Sequence, residues 1–228
     1  MARKFSEALS LLWNNLGLFS AIVLTVWLPG NILTYLVAYN YAENSPLGFM
    51  KLAMWIECIF GPICIGALVY ALYQIKMGKE VTYRDAIGVG FKRWGSLFAA
   101  RLVAGIFIVL GFLALLIPGI ILAVRYSLLD AAVVIEAKGV TESRSRSINL
   151  TAGRRWQIFG AAILFFIPFV FLSFIIYVPL EYSESLNIMP VEVALDCVLD
   201  VFYVVIQIVV FLFYWESIQS ETSAEPIV

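Results

Sequence analysis

Seven polar side chains stand in stretches that are otherwise apolar: Glu57, Arg101, Arg125, Asp130, Asp196, Asp200 and Gln207. Carboxylates and guanidinium groups supply the chemistry available at these positions. Imidazole does not, because the chain has no histidine. That removes histidine-based acid–base catalysis, Ser-His and Cys-His nucleophile pairs and histidine-ligated metals together. Cys58, Cys64 and Cys197 lack a C-x-x-C spacing, and they read as small apolar residues in helix contacts, neither a disulfide framework nor a zinc site. Asp196 and Asp200 lie one helical turn apart, whereas an aspartyl pair for hydrolysis would draw from two helices. No Walker A loop, H-E-x-x-H, G-x-S-x-G or dinucleotide glycine pattern is present. The expectation is a non-enzyme with no catalytic residue, cofactor or metal.

The elements that must hold these groups are long apolar runs. Residues 8–42, 58–75, 102–124 and 156–180 contain no Asp, Glu, Lys or Arg. About 20 apolar residues cross a bilayer core as a helix. Only 14% of the chain is charged, against about 25% in soluble domains, so a water-facing surface cannot be covered. The pattern predicts an all-α membrane protein with six spans, about 16–42, 50–76, 95–117, 119–137, 156–180 and 191–215, in a single domain over 1–228. The N-terminal run, led by Arg3 and Lys4, reads as a retained first span and not a cleaved signal. Twelve of the 15 basic residues fall at the N-terminus, between spans two and three, and between spans four and five. The opposite loops hold Lys51 with Glu43, Glu181 and Glu184. Lys and Arg favour the cytoplasmic side, so both termini are expected inside. Basic residues occur in short loops only, which argues against nucleic acid.

A weak repeat runs through the chain. Residues 7–17 align with 85–95, and Lys92-Arg93-Trp94 resembles Arg154-Arg155-Trp156. The reading is three hairpins, each preceded by a short cytoplasmic interfacial helix. The first two are amphipathic, over 5–15 and 82–93. The third is Ser/Arg-rich and is expected to be water-exposed. Trp13, Trp94, Trp156 and Trp215 sit at the depth tryptophan prefers. Pro29, Pro62 and Pro168 should kink spans one, two and five.

Charge inside a span costs roughly 2.5–3.5 kcal/mol on insertion scales, so partners are required. Counting residues from the outer ends puts Glu57, Arg125 and Asp196 level, about 8–10 Å deep at 1.5 Å per residue. Arg125 is thus expected to pair with Asp196, Glu57 or both. Counting from the other side makes Arg101 and Asp130 a second candidate pair, although Arg101 could instead snorkel to the headgroups. Glu192, Asp196, Asp200, Tyr203, Gln207 and Tyr214 form a stripe within about 80° of arc on span six. That stripe is either a structural seam or the wall of a polar cavity. Gly119, Ala123, Ser127 and Ala131 form a small-residue stripe on span four, suited to close helix packing.

The run Leu116-Ile117-Pro118-Gly119-Ile120-Ile121-Leu122-Ala123-Val124-Arg125-Tyr126-Ser127-Leu128, with Val133-Val134-Ile135-Glu136, Gly139, Arg146-Ser147, Leu150-Thr151-Ala152-Gly153 and Arg155-Trp156, resembles a bacterial family of six-span membrane proteins. That family includes the membrane domain found beside some glycerophosphoryl diester phosphodiesterases and the YciC-like inner-membrane proteins. The resemblance covers residues 116–156 and implies a multi-pass plasma-membrane protein without the phosphodiesterase chemistry. In the matched segment Pro118-Gly119 reads as the hairpin corner. Glu136 is expected within reach of Arg144, Arg146, Arg154 or Arg155, and these basic residues with Trp156 set the depth of span five. The expected partners are the lipid bilayer, anionic lipid headgroups or another membrane protein. Two functions fit. The favoured one is an envelope scaffold or accessory factor; the other is a small transporter with a polar cavity near Arg125 and the span-six acids.

Overall fold

The computed structural model describes the backbone of residues 2–41, 46–181 and 189–224, and the side chains of 3–37, 54–178 and 189–222. The calls on Glu43, Lys51, Glu181 and Glu184 lie outside the described side chains. The described residues form nine helices and no strand: α1 Ala2–Asn14, α2 Leu16–Tyr41, α3 Pro46–Lys76, α4 Tyr83–Ala114, α5 Leu116–Arg125, α6 Leu129–Val134, α7 Val140–Leu150, α8 Arg155–Glu181 and α9 Met189–Ala224. Six segments are long and apolar enough to cross a membrane, with α5 and α6 together making the fourth. The protein is an all-helical, multi-span membrane protein. In a bilayer core every backbone group must be paired internally, which leaves a helical chain with helices as its only spanning form.

α3 and α9 are central, and α8 lies at the edge with Phe166, Ile167, Phe171, Phe174 and Ile175 exposed. α9 has 36 residues, about 54 Å at 1.5 Å per residue, so it outruns a bilayer core of about 30 Å. The extra length gathers at the basic end. There Lys4 of α1 pairs with Glu216 of α9, which places both described chain ends together. Glu216 also accepts from Arg154 at 3.0 Å, and Lys76 pairs with Glu7.

α1 ends where Asn15 turns its side chain back to donate to the Leu11 carbonyl at 2.9 Å. It buries Ala8 and Leu12 and leaves Leu9 and Trp13 exposed. Much of its apolar face thus packs on α9 and not on lipid.

The second expected interfacial helix is not separate. Thr82 and Asp85 cap α4 reciprocally, and residues 83–93 are its first three turns. They are drawn against α3 at a glycine crossing. A Cβ on Gly90 would stand 2.4 Å from the Ile63 carbonyl oxygen, and one on Gly66 would stand 3.2 Å from Gly90 Cα. Trp94 donates to the Ile59 carbonyl at 2.6 Å across the same contact, a role beyond setting depth.

The hairpin corner is Leu115, in extended conformation, and not Pro118-Gly119. Pro118 falls in the first turn of α5, where its missing N–H leaves no bond unmade. Gly119 lies against Gly111 and the Phe112 ring, where a Cβ would meet ring carbon at 2.4 Å.

The fourth span breaks at residues 126–128, without proline or glycine. Ser147 of α7 repairs the break. Its hydroxyl donates to the Arg125 carbonyl at 2.7 Å and accepts from the Leu128 N–H at 3.2 Å. α7 is therefore not water-exposed all round: Ser143, Ser147 and Thr151 are fully buried.

Candidate functional site: a polar layer within the spans

Arg101 and Asp130 form a side-on pair. Nε reaches Oδ1 at 2.8 Å and a terminal guanidinium nitrogen reaches Oδ2 at 2.8 Å. Two parallel charge-assisted bonds fix both planes. α4 supplies the arginine, and the break between α5 and α6 turns Asp130 toward it. α6 is otherwise apolar and buried, so the aspartate has no other polar neighbour in its own element.

Glu57 stands at the same level on α3 and makes no ion pair among the described residues. It lies about eleven residues, or about 16 Å, past the start of α3. Asp200 lies at a similar distance along α9. Asp200 accepts from Asn31 Nδ2 at 3.0 Å. Asn31 follows Pro29, which removes one ladder bond in α2. One turn nearer the far end, Asp196 accepts from the Tyr177 hydroxyl, and Tyr35 lies beside it.

Glu57, Arg101, Asp200, Tyr203 and Gln207 line a partly open cavity of about 70 Å³, with Trp27 and Cys64 among its apolar walls. Water takes about 30 Å³ in the liquid, so the space suits two waters or one small cation. Two carboxylates, Glu57 and Asp200, line it with one guanidinium, Arg101, which is already paired with Asp130. An excess of carboxylate over cationic groups within a span favours a bound cation. Among the described residues no set of three or more His, Cys, Asp or Glu could hold a metal ion.

Arg125 is not part of this layer. It makes no ion pair among the described residues, and its Nε is buried without a hydrogen-bond partner. The expected pairing with Glu57 or Asp196 is therefore corrected. The depth count assumed one continuous helix, but α5 ends at Arg125 and packs on α4 and α8, and Arg125 pairs with no acid of α3 or α9 among the described residues. Arg101 takes the place beside Glu57 instead.

The basic-end residues form a second cluster. Arg146 donates to Glu136 at 2.9 Å and to Glu221 at 2.8 Å; Lys138 pairs with Glu136 at 2.7 Å, and Tyr214 donates to it at 3.1 Å. Burial acts to raise the Glu136 pKa, but the bonds and charges of Lys138 and Arg146 outweigh it and hold the carboxyl below its usual value. Arg154 goes to Glu216, not to Glu136. Arg155 makes no ion pair among the described residues, and Trp156 is exposed. Arg144 lies over the Phe107 ring at 4.4 Å. Glu216, Glu221 and Tyr177 are site residues that sequence reasoning missed, whereas Asn31 stood out in the sequence by its place just after the Pro29 kink. The signal for the two acids was their distance past the end of the sixth apolar run, which places them level with the basic loops.

The fold and this polar layer define a polytopic α-helical membrane protein with ionisable groups at mid-span. Residues 29–216 match a family model described as a domain of unknown function, DUF7847, and the chain belongs to that family. No curated protein matches the chain. No solved structure matches it.

Proposed function

We propose that the protein is a non-enzymatic carrier of small monovalent cations, set in a bacterial plasma membrane with both termini cytoplasmic. The cavity shared by Glu57 and Asp200 supports this reading, because its carboxylates outnumber its one arginine. In this scheme Asp200 is the central ligand, Asn31 orients it, and the Arg101–Asp130 pair fixes the wall. Tyr203 and Gln207 offer oxygen atoms to the bound cation. The basic loops and the resemblance of residues 116–156 to YciC-like inner-membrane proteins support the location and orientation.

A second reading, an envelope scaffold contacting anionic headgroups or another membrane protein, is favoured by the exposed belt of α8 and by Arg155. Equilibrium binding of radiolabelled methylammonium to the protein in nanodiscs separates the two. The carrier reading expects saturable binding that Asp200→Asn abolishes. Absence of saturable binding to folded protein would remove it and leave the scaffold.

A further inference from the structure

The cavity has a neighbour on the bilayer side. A groove of about 570 Å³ runs between α3 and α4, with Phe98, Leu102, Gly105 and Ile106 among its apolar walls. Glu57 and Arg101 line this groove as well as the partly open cavity. The same two side chains thus form a partition between the lipid-facing surface and the interior polar space. Arg101 is committed to Asp130 through both bonds, so the partition presents a free carboxylate and a neutralised guanidinium.

We propose that the groove admits single-chain amphiphilic cations sideways from the bilayer, the alkyl tail lying along α4 and the ammonium head meeting Glu57. The proposal rests on the carrier reading above and names its substrate class and entry route. Charge complementarity selects the occupant. Every other lining group of the groove apart from Arg101 lacks a charge, and the one unpaired ion is negative. An anionic amphiphile would bring its head against Glu57. A zwitterionic phospholipid would bring two chains and a phosphate to a slot with no free cation. Counted from water, each methylene removed from it adds about 0.8 kcal/mol, or about fourfold in affinity, so a long-chain ammonium binds more tightly than a short one. From Glu57 the head has only to pass the partition to reach Asp200, while the tail stays in the groove.

Gly105 provides a clean way to close the route. A Cβ there meets no heavy atom within 4 Å, so the side chain in Gly105→Leu starts in open space and extends into the groove. Ile106→Trp fills it from the next position. Binding of radiolabelled dodecylammonium and methylammonium is measured in nanodiscs, with Glu57→Gln discs of the same lipid correcting for bilayer uptake. The expected result, counted against free aqueous ligand, is at least about tenfold tighter binding of the dodecyl compound. Gly105→Leu and Ile106→Trp should remove that advantage and leave methylammonium binding unchanged. Dodecyl sulfate should show no corrected binding. If methylammonium binds but the chain adds nothing, or if both groove variants leave the dodecyl compound unaffected, lateral entry is overturned while the cation site stands. If neither compound binds folded protein, the carrier reading fails and the lateral route falls with it.

Discussion

Replacing Arg101 with leucine removes the cation from the most tightly tied pair in the spans. Both of its bonds are 2.8 Å long, and the two side chains are 34% and 18% exposed, largely toward an apolar groove. With charge centres about 4 Å apart and an effective dielectric near 20, the attraction is about 4 kcal/mol. Breaking a buried pair costs about 3–5 kcal/mol, because the partner is left uncompensated. Arg101→Leu should therefore lower stability by about 3–4 kcal/mol. Asp130→Leu alone should cost a similar amount. The double variant should recover much of the loss, since neither charge remains, giving a coupling energy of about 2 kcal/mol or more. Reversible unfolding of the four proteins in the same mixed micelle gives the cycle. A coupling energy below about 0.5 kcal/mol would show that the pair is not energetically joined and would refute the reasoning.

Further outcomes follow from the same geometry. Arg125→Leu should couple to neither Glu57→Gln nor Asp196→Asn in unfolding cycles, because Arg125 pairs with neither acid. Ser147→Ala removes two bonds that repair the broken fourth span and should cost about 2–3 kcal/mol in the same assay. Gly90→Leu should destabilise by about 3 kcal/mol through contact with the Ile63 backbone, whereas Gly88→Ala, which meets nothing within 4 Å, should be tolerated. Glu136 has a lowered pKa in the folded protein. Its stabilising share is complete above its unfolded value of about 4.3. That share is lost as pH falls through the lower folded value. Glu136→Gln should therefore lose less stability than wild type when acidified below about pH 4.

The spans were legible because length and absence of charge decide membrane crossing almost alone. Depth counting was enough to place Arg101 beside Asp130, since both stand on segments meeting at one corner. The same arithmetic misplaced Arg125. It assumed an unbroken helix, and nothing in Tyr126-Ser127-Leu128 signals a break. That break exists because a serine on another helix satisfies the freed backbone groups, a contact between residues 19 and 22 positions apart in the chain. The Gly66–Gly90 crossing was hidden for a related reason: a glycine reveals close approach only when its partner is known. Half of the span-six stripe behaves as a seam and half as a cavity wall. Its residues met different partners, Tyr177 at Asp196, Asn31 at Asp200 and Glu136 at Tyr214, and periodicity cannot tell them apart.

The carrier reading is tested most directly by methylammonium uptake into proteoliposomes under an inside-negative potential. Saturable uptake above protein-free vesicles is expected, lost in Asp200→Asn and in Glu57→Gln and retained in Arg125→Leu. Uptake by folded wild-type protein no greater than that of protein-free vesicles would contradict it.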